Sequence, residues 1–238
     1  MSATFRGQET RRVAAEAVGT FFLVLVGPGS AMVNAYAAGA LGQVGIAMAF
    51  GLVVAAMVFA LGHVSGAHIN PAVTIAFWSV RRFPGRSVVP YVLSQCGGAV
   101  LASLFLRIIL GPVGHLGATL PAIGLWQSFV VEWLLSFVLM LVIMSVATDD
   151  RVPRGFAPIA IGMTVGFCAL LGPLTGSSMN PARSLGPALA GGGWTGHWLY
   201  WVAPITGMGI AARFHVWLHV SGPPVLSGTL GIEGLVPK

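Results

Sequence analysis

Two copies of an Asn-Pro-Ala tripeptide carry the clearest chemistry in this sequence: Asn70-Pro71-Ala72 and Asn180-Pro181-Ala182, the second followed by Arg183. Asn before Pro is typical of a helix start, because Pro at the first helical position lacks the N–H that would have no acceptor there. Each Asn can then offer an amide N–H₂ group at a helix N-terminus, where the helix dipole is positive. Two such sites facing each other would attract the oxygen of a neutral solute and repel a cation.

Glu16 and Glu132 are the only acidic residues inside long apolar stretches. Carboxyl groups within a membrane span are functional candidates by default, so a pair of proton relays in a coupled transporter is one interpretation. His63 and His68 lie at i and i+5, which is poor spacing for a metal pair on one helix face. The two cysteines, Cys96 and Cys168, form no CxxC motif. With no Ser/His, paired Asp or HExxH arrangement in facing spans, the sequence predicts neither catalytic residues nor a metal or cofactor site, and therefore no enzyme.

The composition decides the class of protein. Of the 238 residues, 56% are hydrophobic and only 8% are charged, whereas a soluble domain carries about 25% charged residues. The net charge of +6 does not indicate nucleic acid, because the basic residues form no stripe with interleaved aromatics. The chain is predicted to be a multi-pass integral membrane protein in contact with the lipid bilayer.

Six apolar stretches approach the roughly 20 residues that a helix needs to cross the hydrocarbon core: 13–36, 41–61, 88–110, 125–147, 155–171 and 197–220. Backbone polar groups in lipid need internal partners, which favours helices. A transmembrane barrel would instead show alternating strands of about ten residues, and these runs are continuous. The fold class is therefore predicted to be an all-α membrane protein with six transmembrane helices.

Two further segments, 62–85 and 172–193, lie between spans two and three and between spans five and six. Each begins with irregular Gly, Ser or Thr residues, reaches Asn-Pro-Ala, and continues as a short apolar helix, 72–80 or 182–190. About ten residues at 1.5 Å rise span roughly 15 Å, half of the hydrocarbon core. The pattern predicts two re-entrant half-helices.

The chain also repeats itself, with repeats at about 11–115 and 125–220. Three spans per repeat is an odd number, so the repeats insert with opposite orientation and the half-helices enter from opposite faces to meet near the midplane. One Asn-Pro-Ala is a weak signal, but two at matched positions of an inverted repeat are a strong one. We expect a single transmembrane channel domain over 1–220 and a disordered tail over 221–238.

Arginines set the predicted topology. The links on one side of the membrane, 37–40, 111–124 and 191–196, contain no Lys or Arg. The N-terminus and the links on the other side contain eight arginines: Arg6, Arg11, Arg12, Arg81, Arg82, Arg86, Arg151 and Arg154. Positive charge accumulates on the cytoplasmic side. Both termini are therefore predicted to be cytoplasmic, in a cell inner or plasma membrane.

The two loops, 65–74 and 176–184, resemble the two signature loops of aquaporins, the major intrinsic protein family: Ser65-Gly66-Ala67-His68-Ile69-Asn70-Pro71-Ala72-Val73-Thr74 and Gly176-Ser177-Ser178-Met179-Asn180-Pro181-Ala182-Arg183-Ser184. The resemblance covers about 11–220, and Gly172-Pro173 with the segment 184–188 is most similar to the nodulin-like branch and its bacterial relatives. It implies a right-handed six-helix bundle and a homotetramer with one pore per subunit. It also implies passive passage of water and small neutral solutes without protons or ions.

The resemblance also implies roles for individual residues. Its narrowest point, a four-residue filter, falls on Phe50, Cys168, Ser177 and Arg183. Glu16 and Glu132 would accept bonds from the N–H groups of the two loops, a structural role favoured by their symmetric placement, and His68 would brace its loop or line the pore.

Selectivity among neutral solutes is left open by the same residues. Strict water channels have His where this chain has Cys168, which favours a wider pore for glycerol-like polyols, with hydroxylated metalloids as further candidates. Four other residues match water channels instead and favour strict water selectivity: Ser184, Ala188, Tyr200 and Trp201. An ion-coupled secondary transporter is the remaining alternative.

Overall fold

The computed structural model describes residues 3–148, 152–153 and 155–219, with side chains from residue 7 onward. Every regular element in this part of the chain is helical. The predicted tail at 221–238 and two arginines of the topology argument, Arg151 and Arg154, lie outside it. The described α-helices are α1 (Ala3–Tyr36), α2 (Gly42–Ser65), α3 (Pro71–Ser79), α4 (Val88–Leu110), α5 (Leu125–Ala147), α6 (Ala157–Ala169), α7 (Gly172–Thr175), α8 (Pro181–Pro187) and α9 (Leu199–Leu218).

Four of these helices, α1, α2, α4 and α5, are long and apolar enough to cross a membrane. The predicted fifth span corresponds to α6, an apolar helix of only 13 residues, and the sixth to α9, with 20 residues. The single turn α7 follows α6 almost directly. The predicted all-α membrane class, with six transmembrane helices and two half-helices, is confirmed, although α6 is shorter than its predicted span.

The half-helices are α3 and α8, which both begin at the proline of an Asn-Pro-Ala tripeptide. α8 is shorter than predicted: it ends at Pro187 and continues as a π-helical turn, Ala188–Gly192. That turn ends the element because Gly191 leaves helical geometry at φ 110°.

The two repeats interlock through their half-helices. Within the repeats α1 packs on α4 and, equivalently, α5 packs on α9, while α2 and α6 pack on each other between the repeats. α3, from the first repeat, packs against α9 of the second, and α8 packs against α4 of the first. Neither repeat therefore completes its own interior without the other.

Glycines permit the closest helix contacts. A Cβ atom on Gly51 in α2 would lie 2.7 Å from Gly162 O in α6, and a Cβ on Gly162 would lie 2.6 Å from Gly51 O. A Cβ on Gly207 in α9 would lie 2.5 Å from Trp133 O in α5, and Gly98 in α4 faces Ala17 O in α1 at the equivalent point. Small residues let backbones approach in a membrane, where packing is the main force between helices.

We expect Gly162→Ala to destabilise the protein. The new methyl group would collide with Gly51 O and Ala55, and overpacking of this kind costs about 1–3 kcal/mol. Gly97→Ala is the matched control, because a Cβ there meets nothing within 4 Å. Thermal unfolding in detergent micelles should show a lower Tm for Gly162→Ala alone. Equal Tm values for the two variants would contradict this account of the α2–α6 contact.

Candidate functional site

Asn70 and Asn180 cap the two half-helices in the same way. Both have extended backbone, at φ −160° and −150°. Their Oδ1 atoms accept the N–H groups of Ala72 at 2.9 Å and Ala182 at 3.0 Å, since Pro71 and Pro181 have no N–H to offer. Asn180 Oδ1 also accepts the N–H of Arg183, at 3.3 Å. The caps thus satisfy backbone donors that a helix start leaves without a partner.

The two asparagines also join the half-helices to each other. Asn70 Nδ2 donates to Met179 O at 2.8 Å, and Asn180 Nδ2 donates to Ile69 O at 2.8 Å. Each amide thus binds the loop that precedes the opposite half-helix. Because an amide carries two N–H groups, each Asn keeps one donor for another partner.

The loops before the half-helices hold an unusual backbone at matched positions. Ala67 and Ile69 have φ of 45° and 43°, and Ser177 and Met179 have φ of 42° and 50°. Left-handed backbone costs a non-glycine residue roughly 1–2 kcal/mol. Such a conformation persists only where the surroundings hold it in place.

Glu16 and Glu132 supply that support from α1 and α5, where both are fully buried. Glu16 accepts the N–H of His68 at 2.9 Å and that of Ile69 at 2.6 Å, and the hydroxyl of Ser65 at 2.7 Å. Each carboxylate therefore binds donors of the loop that follows the next helix of its own repeat.

The second repeat has the same arrangement. Glu132 accepts the N–H of Ser178 at 2.8 Å and that of Met179 at 2.9 Å, and the hydroxyl of Thr175 at 2.7 Å. The structure thus places both acids as acceptors for loop donors, with no part in lining the two cavities described next.

A cavity of about 970 Å³ runs past both asparagines and is lined by His68, Ile69, Met179 and Ser177 among others. A second cavity, of about 170 Å³, lies beside it. Three residues line both cavities: Phe50, Ala169 and Arg183. These three residues therefore lie where the two spaces meet, and we call this place the narrow point.

Arg183 is held firmly at this narrow point. The residue is only 4% exposed, its Nη1 donates to Gly117 O at 2.8 Å, and its Cζ lies 5.1 Å from the centre of the Phe50 ring. Its Nε, like Ser177 Oγ, has no hydrogen-bond partner among the described residues. Buried polar atoms without a partner usually mark a place for water or ligand.

Cys168 differs in position from the other three predicted filter residues. Phe50, Ser177 and Arg183 line a cavity, whereas Cys168 is absent from both cavity walls and is buried in the apolar cluster that includes Phe50. Its neighbour Ala169 lines both cavities, and Gln43 Nε2 donates to Ala169 O at 2.6 Å. No pattern in the sequence indicates a role for Gln43, because a polar residue near the start of a span is common.

The link between α4 and α5 holds Arg183 through a turn with a left-handed backbone. Gly114, His115, Leu116 and Gly117 all have positive φ, from 50° to 63°, which is rare for consecutive residues. Leu116 is buried at the end of this left-handed turn, and Gly117 presents its carbonyl oxygen to Arg183. The glycines of the link were visible in the sequence, but their partner was not.

The same link reaches α8 a second time. Thr119 Oγ1 donates to Ser184 Oγ at 2.8 Å, and Ser184 Oγ lies 2.5 Å from Ser178 Oγ. All three hydroxyl groups are buried. They connect the link to the loop that precedes Asn180.

His68 lines the large cavity and packs in an aromatic cluster. Its ring centre lies 5.0 Å from that of Phe77, 4.8 Å from Phe83 and 5.4 Å from Tyr91. Both predicted roles are compatible with this position, because the backbone N–H of His68 binds Glu16 while its ring borders the cavity.

Comparison with known proteins agrees with this geometry. The family described as Major intrinsic protein matches residues 4–215. The probable aquaporin AqpM of Archaeoglobus fulgidus is 47% identical over 238 residues, covering 88% of this chain and 95% of that protein. Nodulin-26 of Glycine max is 47% identical over 199 residues, covering 83% of this chain and 73% of that protein. The predicted likeness to the nodulin-like branch is confirmed.

Among solved structures, the aquaglyceroporin from Plasmodium falciparum superposes with a TM-score of 0.78 at 25% identity, covering 87% of this chain and 95% of that one. The paired half-helices, the apolar spans and these similarities together show that the chain belongs to the major intrinsic protein family, whose members are membrane channels for water and small solutes and not enzymes.

Proposed function

We propose that the protein is a passive channel for water and small uncharged solutes, glycerol-like polyols and hydroxylated metalloids among them, and that it excludes protons and ions. The observation that carries this proposal is the meeting of two helix N-termini, each with a cavity-lining Asn whose amide retains a free N–H. Helix dipoles place positive partial charge at that point. A neutral oxygen is therefore stabilised where a cation is repelled.

Proton exclusion follows from the same donors. A water molecule that accepts from both Asn70 and Asn180 uses both of its lone pairs, so its own hydrogens point away from the centre. It then cannot accept a proton from a neighbouring water. Neither cavity is lined by a carboxylate among the described residues, so no acidic group offers an alternative route.

The narrow point supports choice among neutral solutes. Phe50 offers an apolar face, and Arg183, whose Cζ lies 5.1 Å from the centre of that ring, offers fixed donors. Ser177 lines the same large cavity, and Cys168 lies behind the wall. Such a pair suits solutes with one hydroxylated and one apolar face, because each face meets a matching surface. We include Cys168 in the filter as the residue whose size sets the room available to Phe50, with which it shares an apolar cluster.

The positions of the buried acids argue against an ion-coupled transporter. Glu16 and Glu132 are each engaged by at least three donors, so neither is available to bind and release an ion without disrupting its loop. A strictly water-selective channel is the alternative that the flux measurements below would reveal.

We also propose that both termini are cytoplasmic and that the channels assemble as homotetramers. The arginines between α3 and α4 support the first part, because Arg81 and Arg82 are exposed at one end of the bundle and positive loops favour the cytoplasm. The proposed homotetramer rests on family membership.

Reconstituted protein should carry water and glycerol without protons. Stopped-flow light scattering of proteoliposomes against sucrose and then glycerol should show faster volume changes than protein-free liposomes, while an internal pH dye stays constant. A pH change that follows solute entry would refute the channel, and glycerol flux at the protein-free level would leave a strictly water-selective pore.

Arg183→Val should admit cations and speed glycerol relative to water. Two like charges 4 Å apart repel each other by about 4 kcal/mol at an effective dielectric constant of 20, and the substitution removes this barrier. Arg213→Val is the control, since Arg213 Nη1 donates to Gly209 O within α9. Cation flux that is the same in both variants would count against Arg183 as the barrier.

Mercurials should inhibit water flux by binding the Cys168 thiol, because the bound mercury atom would displace the cavity wall inward at the narrow point. Cys168→Ser should relieve this inhibition and Cys96→Ser should not, since Cys96 packs in a different cluster, with Val24 and Ala99. Undiminished inhibition in Cys168→Ser would show that Cys168 is misplaced in the filter.

A further inference from the structure

A buried polar chain leads from α1 to the ring of His68. Gln95 in α4 is fully buried, and its Nε2 donates to Glu16 Oε2 at 2.7 Å and to Thr74 Oγ1 at 3.0 Å. Thr74 Oγ1 lies 3.1 Å from His68 Nδ1 and 3.1 Å from Asn70 O. The chain thus connects a carboxylate behind the pore to a ring that lines it.

The orientation of the Gln95 amide is set by Glu16. Gln95 Oε1 has no hydrogen-bond partner among the described residues, so no hydrogen bond to this oxygen fixes the orientation of the amide. The reversed amide would place Oε1 against Glu16, whose bonds to Ser65, His68 and Ile69 are all accepted ones. Gln95 must therefore donate both amide hydrogens, one to Glu16 and one to Thr74.

The Thr74 hydroxyl has one hydrogen and two lone pairs, and three neighbours within bonding distance. Gln95 donates to it. If its hydrogen goes to Asn70 O, the remaining lone pair accepts from His68 Nδ1–H, and all three contacts are hydrogen bonds. If its hydrogen goes to His68 Nδ1 instead, the contact with Asn70 O has no hydrogen. Asn70 O then keeps only the N–H of Thr74, at 3.1 Å, so this arrangement has one hydrogen bond fewer than the first. Thr74 is fully buried, so water does not replace that bond.

We propose that Gln95 is a positioning residue which, through Thr74, holds neutral His68 with its hydrogen on Nδ1, so that Nε2 meets the pore as a hydrogen-bond acceptor. The ring borders the large cavity and its Nδ1 side is taken by Thr74, which leaves Nε2 as the ring's polar atom for solute. A solute that carries O–H groups can donate to this nitrogen. The effect on flux rests on the proposed channel function, whereas the tautomer does not.

The second repeat has an equivalent pair of polar side chains, but it has no counterpart of Gln95. Ser178 and Ser184 stand where the first repeat has His68 and Thr74, and their hydroxyls lie 2.5 Å apart. Pro204 follows Tyr200 at the spacing with which Gln95 follows Tyr91. No amide donor reaches Ser184 from that position, and its hydroxyl partner is Thr119. The polar chain is thus particular to the repeat that contains a pore-lining histidine.

Nitrogen-15 NMR of histidine-labelled protein in lipid bilayers tests the proposal directly, because protonated and unprotonated imidazole nitrogens resonate far apart. His68→Gln identifies the signals by their loss. Wild-type protein should show His68 with Nδ1 protonated and Nε2 unprotonated. Thr74→Val keeps the shape of the side chain but removes the hydroxyl that accepts from His68 Nδ1–H. The ratio of the Nδ1–H form to the Nε2–H form of His68 should therefore fall roughly fivefold, which corresponds to the loss of one typical hydrogen bond.

Two further variants separate this role from simple structural damage. Thr74→Ser keeps the hydroxyl and should keep the wild-type His68 signals. Ser184→Ala removes the equivalent hydroxyl of the other half-helix and should leave His68 unchanged. A wild-type His68 with Nε2 protonated or with both nitrogens protonated would overturn the proposal, as would unchanged His68 signals in Thr74→Val.

Flux in the same proteoliposomes tests the consequence for transport. Glycerol flux relative to water flux should fall in Thr74→Val in step with the tautomer and return in Thr74→Ser. An altered tautomer with an unaltered flux ratio would overturn the role of the His68 tautomer in solute passage. Wild-type protein that carries no solute would refute the channel function, and the NMR result would still decide the tautomer.

Discussion

Backbone N–H groups inside a membrane need acceptors, and the pore of this protein depends on two glutamates that provide them. The loops before α3 and α8 cannot be helical, because they must turn back at mid-membrane, so their N–H groups have no partner of their own. Glu16 and Glu132 bind those groups from the adjacent helices. The left-handed residues of the loops, the positions of the two asparagines and the shape of the cavity all depend on these bonds.

The bonds between the two glutamates and the loops also explain why charged residues occur inside the membrane, where the free-energy cost of burying a charge is high. Each buried carboxylate is compensated by donors that would otherwise be unsatisfied, so the acid and the loop remove each other's desolvation cost. Arg183 is handled differently: its Nη1 binds Gly117 O and its flat face lies near Phe50, while the narrow point gives it access to solute. A charge that faces the pore can contact passing ions directly, whereas a carboxylate bound behind the wall acts on them only at a distance.

The inverted repeat supplies the scaffold, and its departures from symmetry supply the specialisation. Asn70 and Asn180 occupy matched positions of the two repeats, and so do Tyr91 and Tyr200. The Tyr91 hydroxyl donates to Ser65 O, and the Tyr200 hydroxyl donates to Thr175 O. Some unmatched positions line the large cavity: Arg183 corresponds to Val73 in the repeat, and His68 corresponds to Ser178. Gln95 and Pro204 also occupy corresponding positions, but they line neither cavity. Symmetry builds two equivalent half-helices, while selectivity requires the two ends of the pore to differ.

The sequence by itself determined the membrane class, the long apolar elements and the two half-helices, because these follow from hydropathy, length and the meaning of Pro after Asn. It also pointed to both acids and to Arg183, since charge inside an apolar run is too costly to be without purpose. It overestimated α8, whose end depends on the backbone geometry of Gly191 and on no hydrophobic pattern.

Only the tertiary structure decided which groups meet. The hold on Arg183 comes from a main-chain oxygen of Gly117, the support of Ala169 comes from Gln43, and the hydroxyl partner of His68 is Thr74 with Gln95 behind it. Cys168 was selected by spacing, yet its neighbour Ala169 lines the cavities. Spacing along a helix predicts only approximately which face a residue occupies, and the amino-acid sequence does not show which main-chain carbonyl oxygen a side chain will meet. Both are decided only when helices from distant parts of the chain pack together.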